Sequence, residues 1–142
     1  MIIIAVTLLA VTRILLVDDD EDNLKIFTII LENQGFLVDA YSDPVVALSE
    51  FKPSLYDLII LDYRMPEMNG IELYKKIREK DASTKITILT ASHEQMYVND
   101  NQELKREPSL KVIRKPVAIG KLLEEVTELL NETSSSPENI LN

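Results

Sequence analysis

Short, largely apolar runs that each end at a polar residue restrict the fold of this chain more than any other feature. They cover residues 14–17, 58–61, 86–89 and 112–114. Continuous apolar runs of this length are typical of strands that are buried on both faces. Helical patterns alternate with the runs, and this alternation indicates a parallel sheet with helices on both faces. The sequence therefore predicts an α/β fold.

The pattern predicts five strands, at residues 14–17, 36–41, 58–61, 85–89 and 110–114. Helices are predicted at 20–33, 71–79 and 93–106, in a segment that opens at Asp43 and Pro44, and in a C-terminal stripe. Asp20 is expected to be the N-cap of the first helix, and Gly35 stands where a helix C-terminal cap is expected. The residues predicted to face inward are Leu24, Phe27 and Leu31 in the first helix, Val45, Leu48 and Phe51 in the second, and Ile119, Leu122, Leu123, Val126, Leu129 and Leu130 in the last.

Composition narrows the class of protein. With 142 residues the chain is about the size of one domain. A net charge of −9 argues against a nucleic-acid-binding face, and the absence of cysteine excludes disulfides and thiolate metal sites. We expect an apolar N-terminal extension at residues 1–12, a single domain at 13–131 and a polar tail at 132–142, in a cytoplasmic protein.

The N-terminal extension allows more than one interpretation. Residues 1–11 are almost wholly apolar, but a membrane-spanning helix needs about 20 such residues. A signal peptide would carry a basic region before the apolar stretch, and no basic residue precedes this one. We favour an added strand or short helix that packs on the domain, or residues added by an upstream start codon. A membrane-surface or dimerisation element is the less favoured alternative.

The polar residues after the runs help to choose between two strand orders. In a parallel sheet, functional residues gather at the carboxyl ends of the strands. Only the flavodoxin-like order 2-1-3-4-5 places Asp18 and Asp19 directly beside Asp62. Three carboxylates that close together favour Mg²⁺, which prefers oxygen ligands and commonly shares them with a phosphate. With the Thr90 hydroxyl and the Lys115 ammonium, the set suits phosphoryl transfer, in which charge neutralisation and positioning dominate.

Four segments together resemble the receiver domain of two-component response regulators. The long one reads Leu-Asp-Tyr-Arg-Met-Pro-Glu-Met-Asn-Gly at 61–70, and the others are Val-Asp-Asp at 17–19, Leu-Thr-Ala at 89–91 and Arg-Lys-Pro at 114–116. The resemblance runs from about Arg13 to Asn131. Because the D-x-x-M-P-x-M-x-G stretch is specific and the order and spacing of all four agree, a chance match is improbable.

The resemblance implies a role for each site residue. Asp62 would accept a phosphoryl group from a histidine kinase or a phosphotransfer protein. Asp19, Asp62 and the backbone carbonyl of Arg64 would bind Mg²⁺ directly, and Asp18 would assist through water. Thr90 would hydrogen-bond the phosphoryl group, and Lys115 would pair with it. The peptide bond between Lys115 and Pro116 would be cis, and Pro66 and Gly70 would shape the loop after the acceptor.

The chain departs from the family pattern at two places. Receivers usually carry an aromatic residue three positions before the lysine, where this chain has Val112. In the family that aromatic swings inward and reports phosphorylation, a movement that valine cannot reproduce. The segment between Thr90 and Lys115 also lacks the usual Gly-Ala step and carries Pro108. The readout of the signal is therefore expected to be unusual.

The resulting hypothesis is a stand-alone receiver that is not an enzyme and signals by changed protein binding or onward phosphotransfer. A Mg²⁺-dependent phosphohydrolase is a weaker alternative, because position 64, where a general acid would be wanted, is an arginine. A receiver that serves as a constitutive interaction module is disfavoured by the complete acceptor site. A dinucleotide-binding domain is disfavoured because there are only three glycines and no G-x-G-x-x-G.

Overall fold

The computed structural model describes residues 11–91 and 107–132, which form a parallel sheet flanked by helices. The five strands and four helices, in chain order, are β1 (Arg13–Val17), α1 (Glu21–Asn33), β2 (Leu37–Tyr41), α2 (Pro44–Glu50), β3 (Leu58–Asp62), α3 (Gly70–Lys80), β4 (Lys85–Ala91), β5 (Leu110–Lys115) and α4 (Ile119–Asn131). The helix predicted at 93–106, residues 1–10 of the apolar extension and the tail from residue 133 lie outside the described residues.

The strand order is β2-β1-β3-β4-β5, and every neighbouring pair is parallel. The α/β class and the flavodoxin-like order predicted from the sequence are therefore confirmed. In this order β1 and β3 are hydrogen-bonded neighbours, with Val17 level with Leu61. The carboxyl ends of β1 and β3 consequently meet at one edge of the sheet.

Two apolar cores lie on the two faces of the sheet, because side chains alternate along each strand. The α2–α3 core contains Leu15, Val17, Ile59, Leu61, Ile86 and Ile88 from the strands, with Ala47, Phe51, Ile71, Leu73, Tyr74 and Ile77. The α1–α4 core contains Ile14, Leu16, Leu58, Ile60, Leu89 and Ile113, with Leu31, Leu122, Val126 and Leu129. The central strands are buried on both sides, as their continuous apolar sequences predict.

Side-chain caps fix the starts of three helices. Asp20 accepts hydrogen bonds from the amides of Asp22 and Asn23, and Asp43 accepts one from Val45 at 2.8 Å. A reciprocal capping box, formed by Asn69 and Glu72, starts α3. Gly35, just after α1, has φ +94°, a backbone conformation that residues other than glycine rarely adopt. The predicted caps at Asp20, Asp43 and Gly35 are confirmed.

Two predicted core positions were wrong. Val45 is 43% exposed, because the inward face of the short helix α2 is formed by Pro44 and Ala47 instead. Ile119 is 52% exposed at the start of α4, whose buried residues are Leu122, Val126 and Leu129. The strands β4 and β5 also extend further than predicted. Thr90 and Lys115 therefore lie within the last residues of these strands rather than after them.

Asp81 forms hydrogen bonds with two loops at the amino-terminal edge of the sheet, the one before β3 and the one before β4. Its buried carboxylate accepts hydrogen bonds from the Ser54 amide (2.8 Å), the Thr84 hydroxyl (2.6 Å) and amide (3.1 Å), and the Ser83 amide (3.3 Å). Burial alone would raise the pKa of this carboxyl group. The hydrogen bonds outweigh burial, and the pKa of Asp81 lies below its ordinary value of 3.8.

We expect Asp81→Asn to lower the free energy of unfolding by about 1–3 kcal/mol at pH 7, because amides that now bind a charged acceptor lose it. A carboxyl pKa that is lower in the folded state stabilises the fold above the unfolded-state pKa. This contribution is lost as the pH falls through the folded-state pKa. Urea denaturation between pH 3 and 7 should therefore show the difference from wild type shrinking in acid. A difference that does not vary with pH would contradict this, and the exposed Glu124→Gln serves as the control.

Candidate functional site

Three carboxylates meet where β1 and β3 end. Asp18 and Asp19 follow β1, and Asp62 is the last residue of β3. One carboxylate oxygen from each of the three residues lies within 4.8 Å of the other two. The pairing of β1 with β3 creates this cluster, since residues 17 and 61 are level in the sheet.

Asp18 is the most constrained carboxylate of the cluster. Only 2% of its surface is exposed, and its Oδ1 accepts a hydrogen bond from the Asp20 amide at 2.9 Å. Burial, with repulsion from Asp62, raises the pKa of Asp18 to about 6, although the hydrogen bond from Asp20 opposes this shift. Its Oδ2 is buried and has no hydrogen-bond partner within the described residues. An orphaned carboxylate oxygen among oxygen donors fits a divalent cation such as Mg²⁺.

The ammonium group of Lys115 contacts Asp62 from β5. Its Nζ lies 2.6 Å from Asp62 Oδ1, and the side chain of Asp62 is only 6% exposed. The peptide bond between Lys115 and Pro116 is cis, as the family resemblance implied. A buried carboxylate and an ammonium in contact form a charge-assisted hydrogen bond, which fixes the orientation of both side chains.

Thr90 and Arg64 lie next to this cluster. Thr90 is fully buried on β4, the strand beside β3, where Asp62 is level with Leu89. Its hydroxyl group donates to the Ala91 carbonyl oxygen at 3.2 Å. Arg64 lies in the loop after β3, and its side chain is exposed. The structure thus brings the three carboxylates and Lys115 together and places Thr90 on the neighbouring strand.

The loop after Asp62 is closed by hydrogen bonds between backbone groups. The Gly70 amide donates to the Tyr63 carbonyl oxygen at 2.7 Å, and the Met68 amide donates to that of Pro66 at 2.7 Å. A Cβ atom at Gly70 would lie 2.5 Å from the backbone oxygen of Asp62. Only glycine allows this approach, and α3 can therefore begin directly against the end of β3.

Sequence reasoning missed an acidic rim beside the three carboxylates. Asp19, Glu21, Asp43 and Glu67 line a cavity of about 290 Å³ together with Ser42, Pro44 and Pro66. Asp43 was singled out only as a helix cap. Glu67 has φ +68°, a left-handed conformation that its residue type does not favour, so no signal in the sequence indicated it. The strand order and the loop conformation together assemble the rim.

No helix among the described residues is long and apolar enough to cross a membrane.

The family model of the response regulator receiver domain matches residues 14–127. This chain belongs to the response regulator receiver domain family. The family resemblance read from the four motifs is thereby confirmed, and receiver domains are signalling modules of two-component systems rather than classical enzymes.

Similar proteins agree with this assignment. The response regulator receiver protein CpdR of Brucella abortus is 30% identical over 118 residues, which are 83% of this chain and 96% of CpdR. The transcriptional regulatory protein CpxR homolog of Haemophilus influenzae is 33% identical over 131 residues, which are 92% of this chain and 56% of that protein. Three further relatives are matched over only 4%, 28% and 37% of their lengths.

Solved structures are similar throughout the fold. The response regulator TrrA of Thermotoga maritima, crystallised in complex with Mg²⁺ and BeF, is 29% identical with a TM-score of 0.69, covering 83% of this chain and 98% of that one. A response regulator receiver protein of Sinorhizobium medicae is 26% identical with a TM-score of 0.70, covering 87% and 97%. The receiver domain is thus the unit that this chain shares with its relatives.

Gly70→Ala is expected to lower the free energy of unfolding by about 1–3 kcal/mol, the usual effect of forcing atoms into a packed site. The added methyl group must push against the backbone oxygen of Asp62. Gly120→Ala is the matched control, because a Cβ at Gly120 meets nothing within 4 Å and alanine favours helix α4 by about 1 kcal/mol. Chemical denaturation of both variants measures the difference. Equal effects of the two substitutions would contradict this account of Gly70.

Asp18→Asn is expected to stabilise the metal-free protein at pH 7 by about 1–2 kcal/mol, because it removes a buried charge. The pKa of Asp18 is raised from 3.8 to about 6 in the folded state, so its ionisation costs stability increasingly between pH 3.8 and about 6, costs the full amount above pH 6, and costs nothing in stronger acid. Thermal unfolding between pH 5 and 8 should show this gain. Added Mg²⁺ should raise the melting temperature of wild type more than that of the variant. The exposed Asp22→Asn is the control, and an Asp18→Asn protein no more stable than wild type at pH 7 would contradict the prediction.

Proposed function

We propose that Asp62 accepts a phosphoryl group from a histidine kinase or a phosphotransfer protein in a Mg²⁺-dependent reaction. The observation that carries this proposal is the position of the Asp62 carboxylate. It lies within 4.8 Å of carboxylate oxygens of Asp18 and Asp19 and 2.6 Å from the Lys115 ammonium. Such a site binds a cation and an anionic phosphoryl group together, and that is what phosphoryl transfer requires.

In the proposed step, an oxygen of the Asp62 carboxylate attacks the phosphorus atom of a phosphohistidine. The new bond joins this oxygen to phosphorus, and the bond between phosphorus and the imidazole nitrogen breaks, with its electron pair leaving on the imidazole. Lys115 neutralises charge on the transferred group. Asp18, Asp19, Asp62 and the backbone carbonyl of Arg64 would hold Mg²⁺, which when bound supplies further positive charge at the phosphoryl oxygens.

Thr90 serves as the hydroxyl donor to the phosphoryl group in this proposal. Its hydroxyl now donates to the Ala91 carbonyl and would exchange that partner for a phosphoryl oxygen. Phosphorylation takes the side chain from a charge of −1 to about −2, by analogy with other phosphorylated residues. The added charge biases the strand ends toward a second arrangement, and this changes protein binding or allows onward phosphotransfer.

A receiver that acts without an attached output domain is the form of this function that we favour. The match to CpdR supports it, since that match covers 96% of CpdR. Matches to longer proteins over 56% or less of their length are the opposing observation. A cytoplasmic location and a phosphoprotein state are further parts of this proposal.

A constitutive interaction module is the second candidate function. Val112, partly buried against the α2–α3 core, favours it, because valine cannot make the rotamer change that the family's aromatic residue makes. If the chain has this function, partner binding does not depend on whether Asp62 is phosphorylated.

Intact-mass measurement tests the proposal. Wild type incubated with Mg²⁺ and a small acyl-phosphate or phosphoramidate donor should gain one phosphoryl group, and Asp62→Asn should gain none. Chelation of Mg²⁺ should abolish the adduct. Wild type that binds Mg²⁺ but forms no adduct would leave the constitutive module as the function.

A pair of lysine variants on the same strand sharpens this test. Lys115→Gln should slow adduct formation by about 10²-fold, the size of effect found when one stabilising donor is removed from a reacting centre. Lys111→Gln is the matched control, because Lys111 pairs with Glu125 on α4, 2.6 Å away, and not with the carboxylate cluster. Equal rates for the two variants would argue against the role of Lys115.

A further inference from the structure

The carboxylate of Glu107 joins helix α3 to the chain just before β5. Its Oε2 accepts a hydrogen bond from the Tyr74 hydroxyl at 3.1 Å and lies 3.3 Å from Arg78 Nε. Its Oε1 accepts from Arg78 Nη2 at 3.4 Å. The side chains of Arg78 and Glu107 are only 12% and 19% exposed, so solvent screens this ion pair less than it screens a surface pair.

Glu107 also fixes the first residues of β5. Its Oε1 accepts a hydrogen bond from the Ser109 amide at 3.2 Å, and its backbone oxygen accepts one from the Leu110 amide at 3.2 Å. The Ser109 carbonyl oxygen in turn accepts from the Ile86 amide of β4 at 2.9 Å. One residue therefore connects α3, the start of β5 and the start of β4.

The two donors on α3 are themselves held in place. The guanidinium group of Arg78 lies 5.5 Å from the centre of the Tyr74 ring, and its Nη1 donates to the Asp81 carbonyl oxygen at 3.2 Å. Tyr74 is buried, and burial together with the hydrogen bond to Glu107 raises the pKa of its hydroxyl group to about 12. Tyr74 thus stays protonated and able to donate throughout the physiological pH range.

Helix α3 extends this connection to the carboxylate cluster. Its first residue, Gly70, touches the backbone of Asp62, and its buried residues Leu73 and Ile77 pack in the α2–α3 core. The far end of β5 reaches the same cluster through Lys115. The strand is therefore held at its start by α3 and at its end by Asp62, with Val112 between the two.

The geometry points to a clamp, made of Tyr74, Arg78 and Glu107, that keeps the start of β5 fixed to α3 whether or not Asp62 is phosphorylated. Rearrangement on phosphorylation is then confined to the ends of β4 and β5 beside Asp62, at Thr90, Ala91 and Lys115. The short side chain of Val112 is consistent with this, because a strand fixed at its start needs no rotating side chain in its middle. This inference rests on the proposed function of Asp62.

Hydrogen exchange measured by mass spectrometry tests the clamp in the full chain, with and without Mg²⁺ and beryllium fluoride, a mimic of the phosphoryl group. In wild type, peptides that contain Thr90 and Ala91 should change their exchange. Peptides that contain Ser109 and Leu110 should not. A change at Ser109 and Leu110 as large as that at Thr90 and Ala91 would overturn the inference.

Glu107→Gln and Tyr74→Phe remove parts of the clamp, and Glu79→Gln is the matched control on the exposed side of α3. Without ligand, Glu107→Gln should speed exchange at Ser109 and Leu110 about tenfold, the size expected for losing a hydrogen bond to a charged group. With beryllium fluoride, exchange at these residues should become ligand-dependent in Glu107→Gln and, to a smaller degree, in Tyr74→Phe. Exchange in Glu107→Gln that equals that of Glu79→Gln would also overturn the inference.

Failure of the clamp and failure of the proposed function give different results. If Asp62 forms no adduct and beryllium fluoride changes no peptide, the proposed function fails and the confinement of movement fails with it. If the adduct forms but exchange changes equally at both ends of β5, the function stands and only the clamp is wrong.

Discussion

The pairing of β1 with β3 is the constraint on which the rest of this molecule depends. It brings the carboxylates of Asp18 and Asp19 within 4.8 Å of the Asp62 carboxylate. Burial of Asp18, together with repulsion between these like charges, raises the pKa of its carboxyl group to about 6. A fold that keeps such a cluster gives up stability for a site that favours cations, as binding sites commonly do.

Three further contacts at this edge of the sheet hold the site in place. Lys115 supplies one positive charge from β5, 2.6 Å from Asp62 Oδ1. Gly70 lets α3 begin directly against Asp62, which leaves no room for a side chain there. The backbone hydrogen bond from Tyr63 to the Leu89 carbonyl oxygen, 2.8 Å long, connects the loop after Asp62 to β4 beside Thr90. The elements in direct contact with Asp62 and the loop after it, and so the first that a change in charge at Asp62 would affect, include β4 and β5.

The fifth strand and the segment before it are where this chain departs from the family pattern. Val112 stands where the family usually has an aromatic residue in the fifth strand, and the segment before this strand lacks the usual Gly-Ala step and carries Pro108. In the same place Glu107 binds two residues of α3. Small residues would allow a close approach of two backbones, whereas here a nearly buried ion pair makes the connection. The substitution at Val112 and the contacts of Glu107 fit together as features of one strand with a fixed start.

The sequence by itself determined the strand order and the helix caps at Asp20, Asp43 and Gly35, and it predicted which residues would form the site. Strands buried on both faces need continuous apolar runs, and caps need particular side chains at particular positions, so both leave local signals. The residues after those runs, Asp18, Asp19, Asp62, Thr90 and Lys115, could be named for the same reason. Only the tertiary structure decided that Val45 and Ile119 face solvent, since each helix turns its buried side according to what it packs against. The contacts of Glu107 with Tyr74 and the left-handed backbone of Glu67 were also beyond the sequence, because they depend on residues far apart in the chain or on the closure of a loop.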